Sequence, residues 1–204
     1  SYYGCNSYNE SFKFKHINEL DNSAIQHNPV DRCYQCKKML FQNLITFAGK
    51  VHAASVLEGT NEDDLHVYRP GLRAVRELGV KSPLAEAGLT KKEVRSLAEK
   101  LGISVANRPA APCLATRLPY GADLQPDTLR KIEDGETYLK QAGFPVVRLR
   151  LHGNIARIEI PVSDFSAFIE KRQEITDRLK QTGFSYITLD MEGFRSGSMD
   201  ETLS

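Results

Sequence analysis

The chain has little cysteine, almost no net charge and no long apolar run, and each shortage excludes something. Four of its 204 residues are cysteine, too few for the disulfide framework that holds small secreted domains together. Lysine and arginine number 27 against 26 aspartates and glutamates. No overall field therefore draws the protein to nucleic acid or to an anionic bilayer, and neither is expected as a partner. No apolar stretch approaches the roughly 20 residues of a membrane-crossing helix, and no secretory leader pattern opens the sequence. The cytoplasm is the expected compartment, where a close cysteine pair is more often metal-binding or redox-active than structural. What is there is ordinary globular material, 41% hydrophobic and 26% charged, enough for one or two cored domains.

The opening, SYYGCNSYNES, is polar and without periodicity. It does not look like the start of an α/β domain, so the chain is expected to begin partway through a larger protein. Residues 12–20, FKFKHINEL, alternate at first and predict a strand. Met39, Leu40, Leu44 and Phe47 recur at helical spacing and predict an amphipathic helix over 34–48. Residues 50–60, KVHAASVLEGT, read as a buried strand ending at Gly59, followed by a polar loop; 72–79 predict a short helix. Over 89–103 a helix opens on a capping box, Thr90 with Glu93, and Val94, Leu97, Ala98 and Leu101 form its apolar face. NRPAAPC breaks the pattern and sets the expected domain boundary, 1–107 and 108–204.

Beyond it, a helix over about 126–142 stops at Gly143, and VVRLRLH and IARIEI form a hairpin around Gly153–Asn154. A helix over about 163–182 and a strand FSYITLD follow. The fold class is α/β in the first half, read as the end of such a domain, with a small α+β domain after it.

Two groups of residues carry chemistry. Cys33 and Cys36 stand three apart at a helix entrance in DRCYQCKKMLF. Two thiolates at that spacing can chelate a metal, sit on an iron–sulfur cluster or cycle through a disulfide; they can also pack a helix start and do none of these. The five histidines, His16, His27, His52, His66 and His152, are scattered, and no second CxxC exists, so a zinc finger or ribbon is not expected. Cys113, in the proline-stiffened RPAAPCLATRLPYG, would make three thiolates and leave one iron of a 4Fe–4S cluster open. In the hairpin, Arg148, Arg150 and His152 share one strand face, and Arg157 and Glu159 share a face of the partner strand. Two arginines two residues apart suit phosphate or carboxylate, although a solvated face of Arg–Glu pairs gives the same pattern. Arg195, in a Gly/Ser-rich turn, is a further anion candidate. EGTNEDD, 58–64, sits where open α/β sheets bind ligands, at a strand's C-terminal end.

GTNEDD, the stretch YRPGLRAVRELGVKSPLAEAGLTKKEVRSLAEKLGI, PCLATRLPYG and GFPVVRLRLHGNIARIEIP together resemble the PP-loop pyrophosphatase superfamily. More narrowly, they resemble the ATP-dependent sulfur transferases of the LarE type, which help make the nickel-pincer cofactor of lactate racemase. The resemblance implies that residues 1–107 are the C-terminal portion of a Rossmann-like PP-loop domain and 108–204 a substrate and sulfur-transfer domain. It implies adenylation of a carboxylate of a pyridinium dicarboxylate mononucleotide, a small-molecule substrate, with sulfur then replacing AMP. In one branch of the family a single cysteine, matching Cys113, gives up its own sulfur. In another, a 4Fe–4S cluster on three cysteines, here Cys33, Cys36 and Cys113, supplies sulfide.

The resemblance further assigns Arg148, Arg150, Arg117 and Thr116 to the substrate phosphate and Glu136, Glu159 and Asp164 to a divalent ion; Arg195 is expected to join the phosphate residues, and Gly59, Thr60, Asn61 and Asp63 to bind ATP with magnesium. A homo-oligomer is expected. The family's phosphate-gripping S-G-G-x-D-S loop is absent from these residues, so this chain alone is not expected to adenylate. The alternatives are another PP-loop enzyme, of the tRNA-thiolating or amidotransferase type, and a non-catalytic remnant.

Overall fold

A computed structural model describes residues 15–104, 106, 112–195 and 198–199. Cys5, most of the NRPAAP linker and two residues of the turn after Arg195 lie outside them. The chain divides into two compact units, one of residues 1–25 and 30–111, the other of 26–29 and 112–204.

The first unit is mostly helical: α1 (Arg32–Lys50), α2 (Glu62–Leu65), α3 (Gly71–Glu77), α4 (Pro83–Glu86) and α5 (Lys91–Lys100). α1 packs on α3, and a β-carbon on Gly71 would sit 2.8 Å from Lys37 Cδ. That approach brings Phe41 against Leu72, Val75 and Val80, the unit's small core. α5 opens as its sequence predicts: the Thr90 hydroxyl accepts from the Glu93 N–H, and the Glu93 carboxylate accepts from the Thr90 N–H. Its apolar face is not buried, with Leu97 and Leu101 exposed.

Two strands expected here are absent from the described residues, with 12–14 lying outside them. The Asn18 side chain accepts from the Leu20 N–H and caps a 3-10 turn, Glu19–Asp21, so local bonding replaces extension in the described part of 12–20. Lys50 ends α1, and the only ladder position in 50–60 is Leu57, bridged in parallel to Lys81 and 58% exposed. A strand is held by its neighbours, and among the described residues this segment has just that one. Parallel pairing is the sense a Rossmann-like sheet requires, but one bridge is no sheet.

The second unit holds α6 (Pro126–Gln141), β1 (Arg148–His152), β2 (Ile155–Glu159), α7 (Phe165–Glu170), α8 (Arg172–Gln181) and β3 (Tyr186–Leu189). β1 and β2 form the predicted antiparallel hairpin, turning at Gly153 with φ +58°, and β3 joins β2 in parallel after the helical crossover. Pairing sets Leu149 opposite Ile158 and Arg150 opposite Arg157, so one face is apolar and the other charged. The apolar face packs on α6, where a β-carbon on Gly135 would meet Leu149 Cδ1 at 2.7 Å. Leu139, Leu149, Ile158, Ile175 and Leu179 are fully buried there. The single helix expected over 163–182 is two, α7 and α8, broken at Lys171. The Lys171 ammonium there donates to the Ala142 carbonyl that ends α6, at 2.8 Å.

Candidate functional site

In the second unit, Cys113 precedes a 3-10 turn, Leu114–Arg117. Its carbonyl accepts from the Thr116 N–H and hydroxyl, at 3.0 and 2.7 Å. The turn is then fixed to the sheet from both ends of its last residues. Arg117 is buried and grips Glu136 of α6 with two nitrogens, at 2.6 and 3.1 Å, while a third donates to the Thr116 hydroxyl. Arg150 of β1 donates to the Thr116 carbonyl at 2.6 Å. Burial pushes the Glu136 carboxyl up, but Arg117 and the Leu149 N–H outweigh it and hold it below the usual range.

The arginine pair divides its labour. Arg150, buried, is fully engaged: its guanidinium donates to Glu159 at 2.5 Å, to Ser198 at 2.7 Å and to Thr116. Arg157 reaches the same Glu159 oxygen at 2.9 Å. The other oxygen, Glu159 Oε2, is buried with no hydrogen-bond partner among the described residues. Arg148 is half-buried and has no carboxylate partner among the described residues. It donates to its neighbour's carbonyl and lies 5.1 Å over the Phe194 ring. Burial lowers its pKa, and the nearby Arg117 and Arg150 lower it further. Arg195 pairs with Glu192 at 2.8 Å and lies 3.6 Å from Asp190.

The residues assigned to a divalent ion do not make a ready-made site. Both Glu136 oxygens are held by Arg117, and Asp164 accepts from Ser163 in a separate 3-10 turn. Within either unit, no three His, Cys, Asp or Glu side chains among the described residues are gathered to hold a metal.

In the first unit, Cys33 and Cys36 lie in the first turn of α1, Cys33 exposed and Cys36 half-buried. The Arg32 guanidinium lies 3.8 Å from Cys33 Sγ. Thiols at this spacing share a helix face and fit part of a thiolate-held cluster. Between the two cysteines, the Tyr34 hydroxyl donates to Glu77 at 2.6 Å and Arg73 stacks 3.9 Å over its ring. With the Tyr34 and Arg73 hydrogen bonds, Glu77 is held at about 2.

The EGTNEDD loop is ordered by its own polar groups. Glu58 accepts from the Ser82 hydroxyl, the Thr60 N–H and Lys37. Asn61 caps α2, and Asp63 accepts from the Lys91 N–H at 2.8 Å. Thr60 is buried, and a β-carbon on Gly59 would meet nothing within 4 Å. A cavity of about 280 Å³ lies along the second half of α1, lined by Lys15, Gln42, Asn43, Thr46, Phe47 and Lys50, none of them a predicted site residue.

One residue had no sequence signal. Asn28, fully buried at φ +47°, belongs to the segment 26–29 that joins the second unit. Its amide donates to the carbonyls of Leu118 at 3.0 Å, Pro119 at 2.8 Å and Ala115 at 3.4 Å. It lies 85 positions before Cys113, and neither periodicity nor spacing points to it.

No protein-family profile matches the chain. It is 39% identical over 189 residues to an uncharacterized protein of Synechocystis sp., covering 92% of this chain and 70% of that one. It is 39% identical over 188 residues to the pyridinium-3,5-bisthiocarboxylic acid mononucleotide synthase of Lactiplantibacillus plantarum, covering 92% of this chain and 68% of the relative. An uncharacterized protein of Methanocaldococcus jannaschii is 37% identical over 169 residues, 83% of this chain and 66% of its own length. Identity at this level over nearly the whole chain assigns the family: the chain belongs to the LarE family, that of the pyridinium-3,5-bisthiocarboxylic acid mononucleotide synthases.

Proposed function

We propose that the protein inserts sulfur into a carboxylate of a pyridinium dicarboxylate mononucleotide, as the name of its L. plantarum relative implies for that enzyme. The observation that carries this reading is Arg148, a half-buried guanidinium with no acid partner among the described residues, on the strand whose Arg150 bonds the turn after Cys113. A cation kept from its surroundings' carboxylates suits an anionic ligand, and a guanidinium fork suits phosphate. Arg148 binds the substrate's phosphate. Arg117 and Arg150, held by Glu136 and Glu159, orient Thr116 and the Cys113 turn rather than the ligand.

The carboxylate is activated by ATP with magnesium in a PP-loop domain of Rossmann-like fold, on an S-G-G-x-D-S loop that these 204 residues do not carry. The carboxylate oxygen attacks the α-phosphorus, pyrophosphate leaves, and sulfide then displaces AMP from the acyl carbon to leave a thiocarboxylate. The Gly59–Asp63 loop faces the nucleotide. Cys33, Cys36 and Cys113 would hold a 4Fe–4S cluster, which when bound would supply exchangeable sulfide. The protein acts as a homo-oligomer.

Anaerobic reconstitution of the intact protein with iron and sulfide, followed by absorption and electron paramagnetic resonance, tests the cluster. Replacing any one of the three cysteines by Ala is expected to abolish cluster binding and multiple turnover together. A mass loss of one hydrogen sulfide at Cys113, with the Cys33/Cys36 double variant still active for one turnover, overturns the cluster in favour of a sacrificial cysteine.

A further inference from the structure

We propose that Asn28 is the positioning residue for the Cys113 loop, a role that rests on the sulfur-transfer reading above. Three observations within the second unit carry it. First, the amide is fully buried and faces three carbonyls, of Ala115, Leu118 and Pro119, which run from the Cys113 turn to the start of the next bend. Backbone carbonyls so gathered repel one another unless a donor sits among them, and a primary amide brings two N–H groups. Second, the backbone around Asn28 joins the same loop: its carbonyl accepts from the Gly121 N–H at 3.1 Å, and the Gln26 carbonyl accepts from the Leu124 N–H at 2.8 Å. Segment 26–29 is therefore stitched to both ends of 115–124. Third, φ of +47° is the left-handed region, which asparagine and glycine tolerate and most residues do not. Asparagine alone meets both demands, a left-handed backbone and a short double donor.

The loop that Asn28 gathers carries Cys113 at one end and, through Thr116, the hydrogen bond from Arg150. A shift there moves the thiol relative to Arg148 without touching either. Asn28 acts through the loop and contacts no reacting atom.

Two variants separate the side chain from the backbone. Asn28→Gly keeps the left-handed conformation and deletes the donor. Asn28→Asp keeps size and conformation but turns a carboxylate oxygen toward the three carbonyls. In the intact protein, amides 114–121 of Asn28→Asp are expected to exchange hydrogen at least tenfold faster, with β1 and β2 amides within twofold of wild type; Asn28→Gly falls between. The sulfur-transfer kcat of Asn28→Asp is expected to fall at least tenfold, with the KM for ATP within twofold. Unchanged exchange in 114–121, acceleration spread equally over β1 and β2, or a loosened loop with unchanged kcat each overturns the assignment. Protein that carries the S-G-G-x-D-S loop and wild-type Asn28 yet transfers no sulfur rejects the proposed function instead, and the exchange pattern then judges Asn28 by itself.

Discussion

Among the described residues, the largest side chains wholly removed from solvent, including Ile132, Leu139, Leu149, Ile158, Ile160, Ile175 and Leu179, all belong to the second unit. The first unit's best-covered cluster is Phe41, Leu72, Val75 and Val80, each still slightly exposed. The charges divide in the same way. The second unit buries Arg117 with Glu136 and Arg150 with Glu159; in the first, the paired acids Glu58 and Asp64 remain 10% and 13% exposed, and Glu62, Asp63 and Glu93 sit at helix starts. A unit that buries ion pairs against a packed sheet can hold side chains to a fixed geometry. One resting on a small core and local caps opens at lower free energy. By this contrast the Cys113 turn and the arginine face are the more rigid part of the proposed site.

Breaking a buried ion pair of the second unit tests that contrast most severely. Glu136→Ala leaves Arg117 buried without its partner and the Leu149 N–H without an acceptor. Loss of one member of such a pair costs about 3–5 kcal/mol, so denaturant unfolding followed by far-ultraviolet circular dichroism should show a loss of that size. A loss below about 1 kcal/mol would mean the pair behaves as a surface one.

Arg148 sharpens the comparison from the other side, because it is the arginine of that face with no acid partner among the described residues. Arg148→Ala should weaken binding of a pyridinium carboxylate mononucleotide by about 1.5–3 kcal/mol, the worth of a charge-assisted hydrogen bond, or roughly tenfold to a hundredfold in Kd. Stability should change by less than about 1 kcal/mol, the cation–π contact with Phe194 being what is lost. Isothermal titration separates this from ATP binding, which should not change. Equal losses for both ligands would move the substrate site elsewhere.

Gly135 asks how tightly the second unit is packed. Gly135→Ala places a methyl 2.7 Å from Leu149 Cδ1 and 3.4 Å from Leu179 Cδ2, in a region with no solvent to yield into. Overpacking of this kind costs about 1–3 kcal/mol, although alanine favours a helix interior by about 1 kcal/mol, so the net loss measured by chemical denaturation should lie near the lower end. A stabilised variant would show that the α6–sheet contact is looser than the burial implies.

The same contrast explains what was legible in the sequence. The hairpin, its register and its apolar face could be read from the alternation around Gly153–Asn154, because a two-residue period under a packed sheet leaves little choice. The Thr90–Glu93 capping box is likewise a local signal, and it formed. Residues 50–60 misled because an apolar run states that a segment is buried without naming its partner, and here the described partner is one bridge to Lys81. The Arg148/Arg150 pair was visible, but not its division: that depends on Glu159, Ser198 and Thr116 converging on one guanidinium and leaving the other. Asn28 was invisible because its partners lie 87 to 91 positions away.

The smallest effect concerns the first unit and is read by pH. Tyr34, between Cys33 and Cys36, ties α1 to α3 through Glu77: its hydroxyl donates to one carboxylate oxygen, Arg73 donates to the other at 2.8 Å, and Lys38 stands 3.4 Å away. These contacts lower the Glu77 pKa from 4.5 to about 2. A carboxyl whose pKa is lower in the folded protein contributes stability that is fully present above its unfolded value and is lost as pH falls through the folded one. The contribution should therefore be complete above pH 4.5 and fade between 4.5 and about 2. Glu77→Gln keeps the shape and removes the charge. At pH 6 its thermal midpoint should lie below that of wild type, and the gap should narrow steadily on titration toward pH 3. Because the contact is exposed, the gap should be the smallest of the four effects. A gap of constant width would show that shape, not the Glu77 charge, joins α1 to α3, and that the first turn of α1 owes its placement to the packing of Tyr34 alone.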